Sequence, residues 1–229
     1  VMETGYDLIF KWVPRMVIFG LYLNGKVPFS TVYLHGLVLD PHRKKMSKSK
    51  GNVMDPIELT KVYGTDALRM ALIVGNPPGS DSALSEDKIR GYRNFATKIW
   101  NMSRFVLTNR QSKFSKIKPK LSKNDMRNLK TLEKTKREVT KHIEQFEFHL
   151  AAEKIYHYVW HEFADKIIEE AKPRLKSENV AEAASAYKTL EAILIGSLKM
   201  LHPFMPFITE EIWGQIPKKN NELLMITPW

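Results

Sequence analysis

KMSKSKGN, residues Lys45 to Asn52, crowds three lysines, two serines and a glycine into one short stretch. It follows an apolar, β-branched run, Thr31 to Asp40 (TVYLHGLVLD), and precedes Asp55-Pro56. The run reads as a buried strand and the stretch as the flexible loop at its end. Lys45 and Lys48, three apart, can close on a triphosphate and neutralise charge as pyrophosphate leaves. The serine hydroxyls and backbone amides add donors, and Gly51 permits close backbone approach. The same composition also describes an ordinary solvated basic loop.

Upstream, Glu3-Thr4-Gly5-Tyr6-Asp7 sets a glycine just before an aspartate at a helix start. Free amides and a carboxylate at one spot suit a ribose, and they equally suit a plain helix cap. Asp7 to Leu23 reads as a largely buried helix with Leu8, Trp12, Met16 and Phe19 near helical spacing, kinked or broken at Pro14 and ended by Gly25. Leu8 and Trp12 share one face, which can wall a pocket or simply pack as core.

Downstream, Asp55 and Pro56 open a short helix ending at Gly64, and Thr65 caps another through Val74. Gly75 to Ser85 (GNPPGSDSALS) is the clearest linker, so the boundary falls between residues 1–75 and 76–229. The rest reads as helices in an antiparallel bundle. Ser85 caps the first, from Glu86 to about Asn109, with Ile89, Tyr92, Ala96, Ile99, Trp100 and Phe105 or Val106 inward. Gln111 to Asn124 reads as a mobile basic connection. A second helix spans Asp125 to Gln145, with Met126, Leu129, Leu132, Val139 and Ile143 on one face. A third spans His149 to Lys172, stopped by Pro173. A fourth spans Val180 to Leu201, with Ala184, Tyr187, Leu190, Leu194, Leu198 and Leu201 in register. Pro206 to Gly214 is the last.

Charge narrows the partners. The chain has 229 residues, 43% hydrophobic and 27% charged, with a net charge of +11. That surplus favours a polyanion, though a merely soluble basic protein fits composition as well. Arg110 to Lys141 alone carries a dozen basic residues against three acids. With no cysteine, a disulfide or thiolate site is excluded. The opening residues lack a basic leader. Met16 to Leu23, the longest apolar stretch near the start, is far below the roughly 20 residues of a bilayer span. Neither a membrane location nor a bound metal is expected. His157 and His161 stand one turn apart without an evident third ligand. The chain begins at Val1, which reads as a cut.

Taken together, these stretches resemble the class I aminoacyl-tRNA synthetases, whose KMSKS signature is matched here without substitution and follows a His35-Gly36 strand as theirs does. Gly51 to Leu72 resembles the family's continuation. Glu3 to Met16, Gly91 to Leu107 and Leu201 to Trp213 are most similar to the valyl branch, although Lys11 and Pro14 stand where that branch has other residues.

The resemblance implies a mainly α fold: a partial Rossmann-type α/β segment at the KMSKS end, then a helical-bundle anticodon-binding domain. It implies an ATP site of Gly5, Asp7, His35, Gly36, Lys45, Met46, Ser47, Lys48 and Ser49, with Lys45 and Lys48 catalytic, and Mg²⁺ riding on the phosphates. Leu8 and Trp12 become pocket walls, and Arg104 and Phe105 anticodon contacts, although Phe105 also fits the core. The implied partners are tRNA(Val), valine, ATP and the remainder of such an enzyme: its HIGH-bearing half, editing domain and C-terminal coiled coil. A monomer in the cytoplasm is expected. HIGH itself is absent from the 229 residues, so the sheet should show a bare edge or apolar face, and this chain alone should form no adenylate. An isoleucyl or leucyl relative, a non-catalytic tRNA-binding module and a generic basic helical scaffold remain the rival readings.

Overall fold

The computed structural model describes residues 1–115, 117–217 and 222–229, with Lys48 and Ser115 described by backbone alone. The described chain is mostly helical, with few strands. Strand β1 (Met2–Gly5), helix α1 (Val13–Asn24) and strand β2 (Val32–His35) make a β-α-β unit. The strands pair in parallel, with Gly5 opposite His35. Parallel neighbours need a crossover, which α1 supplies, so both strands end at one edge.

Helix α1 starts later than the sequence predicts. Pro14 occupies its first turn, where the missing N–H costs nothing, and the preceding Tyr6 to Leu8 forms a 3-10 turn. The predicted burial is also wrong. Phe10 is 88% exposed and Tyr22 83%, and Ile18, Phe19 and Leu23 are exposed with them. A helix apolar on most of its faces belongs inside a larger layer, and two strands are too narrow to cover it. The bare apolar face expected from an incomplete sheet is present.

The single strand predicted for Thr31 to Asp40 is split into β2 and β3 (Val38–Leu39) at Gly36-Leu37. A Cβ on Gly36 would lie 1.9 Å from the Ser80 carbonyl oxygen. Only glycine lets the later segment cross so closely. Asp81 fastens the crossing by accepting from the Leu37 N–H at 2.7 Å and the Tyr6 hydroxyl at 3.3 Å. The stretch read as a linker is therefore built into the fold: Ser82–Ala83 forms β4, paired in parallel with β3.

Helix α2 (Pro56–Tyr63) is capped by Asp55, which accepts from the Ile57 N–H at 2.8 Å. Gly64, not Thr65, precedes α3 (Thr65–Ile73). These helices share a small core of Leu59, Ala67, Leu68 and Ala71 with Leu84 and Ile89.

The larger core lies among α4 (Glu86–Thr108), α5 (Ser112–Ser115), α6 (Lys123–Glu144), α7 (Phe148–His157), α8 (Ile168–Leu175), α9 (Val180–Leu201) and α10 (Pro206–Gln215). Every residue of the predicted α9 stripe is buried. In α4 the inward residues include Phe95 and Met102, which the stripe omitted, while Trp100 turns out to solvent. Met126 of α6 is likewise exposed. Pro173 does not stop its helix. A π-helical stretch, Tyr158–Ile167, joins α7 to α8, and the chain stays helical through Leu175, which is buried. Pro173 gives up the backbone N–H that would reach the turn before it, and the helix ends two residues beyond it. The Gln111 to Asn124 connection is also anchored rather than free. Phe114 is buried against Tyr187, the Lys188 ammonium donates to the Ile117 carbonyl, and the Ser185 hydroxyl donates to that of Lys120 at 3.4 Å. Among the described residues no helix is long and apolar enough to cross a membrane.

One buried ion pair ties α6, α8 and α9. Asp125, 1% exposed, accepts both Arg174 guanidinium N–H groups at 2.8 Å and the Ser185 hydroxyl at 2.7 Å, and completes a capping box with Ser122. Burial would raise its carboxyl pKa, but Arg174, Ser185 and Ser122 outweigh burial and hold it well below the usual range. A depressed folded-state pKa gives stability that is full above the unfolded value, about 4, and lost as pH falls toward the folded one. Arg174→Met should therefore cost about 3–5 kcal/mol in urea unfolding at neutral pH, because it strands a buried carboxylate. That difference from the unsubstituted chain should shrink below about pH 4.

Candidate functional site

The lysine loop hangs from one carboxylate. Asp40, at the end of β3 and nearly buried, accepts from the backbone N–H of His42 at 3.0 Å and of Lys44 at 2.8 Å. The chain turns back so that Lys45 bridges antiparallel to Leu39. Arg43 sits at φ 59 in this turn, a left-handed conformation that a non-glycine residue adopts only when held. The other carboxylate oxygen accepts from the Asn52 carboxamide at 2.8 Å. Asn52 then grips both sides of Met46: its Nδ2 donates to the Lys45 carbonyl at 3.3 Å, and its Oδ1 accepts from the Ser47 N–H at 2.9 Å. The Asn52 amide first, then the Lys44 N–H, hold the Asp40 carboxyl below its ordinary value against the opposing effect of burial.

Met46 faces the other way. It packs against the α2–α3 core beside Met54 and Tyr63. The motif thus divides its labour: Met46 anchors, Ser47 bonds through its backbone, and Lys45, Ser49 and Lys50 remain exposed. Ser47 and Ser49 hydroxyls lie 3.3 Å apart. Lys48 begins a short 3-10 turn, Lys48–Lys50, and its side chain lies outside the described residues. The loop read as flexible is braced at its base by Asp40 and Asn52. Neither residue was singled out by sequence, because a carboxylate and a carboxamide twelve positions apart leave no local signal.

A second group forms at the shared edge of β1 and β2. The carboxylate of Asp7 folds back over Gly5, so that a Cβ there would lie 2.8 Å from Asp7 Oδ1 and 3.6 Å from the His35 ring. His35 Nδ1 lies 2.8 Å from the Gly36 carbonyl, and since a carbonyl only accepts, that nitrogen carries a proton. Its Nε2 faces Glu3 at 3.2 Å. Gly5, Asp7, His35 and Gly36 are therefore neighbours. Leu8 and Trp12 follow directly in the turn before α1, joined by the Trp12 N–H to Leu8 carbonyl bond at 2.9 Å. Both lie outside α1 itself, and Trp12 is 51% exposed.

Arg104 and Phe105 stand apart, near the far end of α4. Arg104 is exposed. Phe105 is half core: it packs on the larger cluster, and the Lys172 ammonium sits 5.8 Å from its ring centre. His157 and His161 stack at 5.6 Å, each facing an acid of its own helix, Glu153 and Asp165.

Residues 1–85 match the family model described as tRNA synthetases class I (I, L, M and V), and residues 125–229 match the anticodon-binding domain of tRNA ligase. The valine–tRNA ligase of Clostridium tetani is 44% identical over 226 residues, covering 97% of this chain and 26% of that protein. Its counterpart from Clostridium acetobutylicum is 46% identical over 218 residues, covering 94% and 25%. The chain thus spans about a quarter of these relatives' length. Among solved structures, methionyl-tRNA synthetase of Mycobacterium tuberculosis bound by methionyl-adenylate gives a TM-score of 0.73 at 26% identity, over 94% of this chain and 44% of that one. A leucyl enzyme of Agrobacterium radiobacter, in a ternary complex with tRNA, shares the fold with a TM-score of 0.76 at 20% identity, over 99% and 28%.

Replacing Asn52 by alanine removes both grips on the loop while leaving its charges in place. The Ser47 amide should then exchange its hydrogen about fivefold faster, the loss of a net hydrogen bond of about 1 kcal/mol. Amides in the middle of α9 should not change. Exchange measured by mass spectrometry or NMR on Asn52→Ala against the unsubstituted chain checks this.

Proposed function

We propose that this chain, which belongs to the class I aminoacyl-tRNA synthetases, supplies the triphosphate-facing loop and the anticodon-binding helices of a valine–tRNA ligase. The single observation behind the reading is the braced KMSKS loop, which sets Lys45 free on a fixed base in a chain 44–46% identical to valine–tRNA ligases. Residues 1–75 act as the catalytic segment and 76–229 as an antiparallel anticodon-binding bundle.

In this mechanism the carboxylate of valine attacks the α-phosphate of ATP, forming valyl-adenylate and releasing pyrophosphate. The valyl group then passes to the terminal adenosine of tRNA(Val). Lys45 and Lys48 stabilise the charge on the departing pyrophosphate, and the donors of Ser47 and Ser49 assist. Mg²⁺ travels with the phosphates and is assigned no ligand in this chain. Asp7 accepts the ribose hydroxyls over Gly5, while His35 and Gly36 border the adenine. Leu8 and Trp12 wall the pocket for the valine side chain. The chemistry asked of these groups is positioning and charge stabilisation.

Arg104 and Phe105 meet anticodon bases, by charge and by stacking on the exposed part of the ring. The basic Arg110 to Lys141 stretch tracks phosphates. The exposed apolar face of α1 is the seat of the rest of the catalytic domain, the half that carries HIGH. An editing domain and a coiled coil complete the cytoplasmic, monomeric enzyme.

Two measurements test the reading. The complete protein should show ATP–pyrophosphate exchange stimulated by valine well above isoleucine or leucine. This chain alone should show none. Exchange driven best by isoleucine or leucine, or any exchange by the isolated chain, would overturn the assignment.

A further inference from the structure

Helix α3 carries one acid and one base that reach across to the helical part. Asp66, 7% exposed, accepts from the Ile208 N–H at 2.7 Å and the Phe207 N–H at 3.3 Å. Those are free amides of the first turn of α10, so Asp66 caps that helix from a distance of more than a hundred residues. One turn further along α3, the Arg69 guanidinium donates to the Phe204 carbonyl at 3.1 Å and the Pro203 carbonyl at 2.9 Å. Those carbonyls lie just past the end of α9. The two side chains therefore hold the α9–α10 corner from both sides, one on its donors and one on its acceptors. Burial pushes the Asp66 carboxyl up, with the two N–H groups and Arg69 pulling it down.

The opposite face of α3 holds the loop. Ala67, Leu68 and Ala71 form the small core into which Met46 is set. Met70, on the same helix, is fully buried in the larger core. Asp66 and Arg69 thus join the α9–α10 corner to α3, and Met46 joins α3 to the loop backbone at Lys45 and Ser47. Helix α9, which ends at this corner, is the most fully buried of the long helices among the described residues, so the corner is built into the core of the bundle.

We infer that Asp66 and Arg69 are positioning residues that couple the seating of tRNA on the helices to the placement of the KMSKS loop. This rests on the reading given under Proposed function and adds the residues that join its two halves. They touch neither nucleotide nor tRNA. Their removal should spare the tRNA-independent step and impair the tRNA-dependent one, a split that simple destabilisation would not give.

The test uses the complete protein with Asp66→Asn and, separately, Arg69→Gln. Arg69 is exposed, so its variant keeps a folded protein available even if the buried substitution does not. Valine-dependent ATP–pyrophosphate exchange without tRNA should be unchanged. Charging of tRNA(Val) should fall about tenfold in kcat, within the usual range of coupling energies, and the preference for tRNA(Val) over an anticodon-altered tRNA should narrow. Charging and preference equal to the unsubstituted protein in Arg69→Gln would overturn the inference. So would exchange and charging falling in parallel, which marks general damage. Absence of valine-dependent exchange in the unsubstituted protein would instead overturn the reading on which the inference rests.

Discussion

The Asp40 carboxylate organises the front of this molecule. It closes the turn after β3 by taking two backbone N–H groups on one oxygen, and it steadies Asn52 with the other. Without it the left-handed Arg43 would be held only by the backbone bonds that join residue 40 to residues 43 and 44, and Asn52 would lose the partner that orients its amide toward the Lys45 carbonyl and the Ser47 N–H. A loop dense in ammonium groups resists compaction by its own charge. Tying the backbone at its base, and packing Met46 against the small core, is how the fold keeps Lys45 and Lys50 outward while fixing where they begin. The arrangement is pre-organised, which matters for chemistry that depends on charge stabilisation rather than covalent participation.

Two glycine-dependent contacts shape the end of the β1–β2 pair. Gly5 lets the Asp7 carboxylate fold back toward His35, and Gly36 lets the Ser80–Asp81 backbone cross beneath the end of β2. Both lie at the carboxyl edge of the parallel pair, where open α/β sheets gather their ligands. From that edge the chain passes through β3 directly into the Asp40 turn. One continuous segment therefore carries Gly5 and Asp7, His35 and Gly36, and the lysine loop.

Much of this was legible in the sequence, and the failures have physical reasons. The caps at Asp55 and Ser85, the span of α9 and its stripe follow from local rules and needed no knowledge of partners. Site residues named on motif grounds fall into the two groups just described, with Arg104 and Phe105 near the far end of α4. What sequence could not show were bonds between residues far apart: Asp40 with Asn52, Asp66 with the start of α10, Asp125 with Arg174. Apolar character was read as burial in α1, yet burial depends on what lies opposite, and the described chain offers α1 only two strands. Trp100 and Met126 are errors of the same kind, apolar side chains at helical spacing but on the outward face. Gly75 to Ser85 has a linker's composition, but Gly36 leaves just enough room for it to enter the sheet. Pro173 lies in the last turn of its helix rather than just past the end, so the boundary falls two residues beyond it.

On the proposed reading the braced loop delivers lysines to the phosphates of ATP. The most direct measurement is valine-dependent ATP–pyrophosphate exchange by the complete protein carrying Lys48→Ala, compared with the unsubstituted protein. Loss of an electrostatic contact made in the transition state predicts a fall of about 10²–10³ in rate, with the overall fold intact by circular dichroism. Exchange at the full rate in that variant would rule out a role for the loop's lysines at the phosphates.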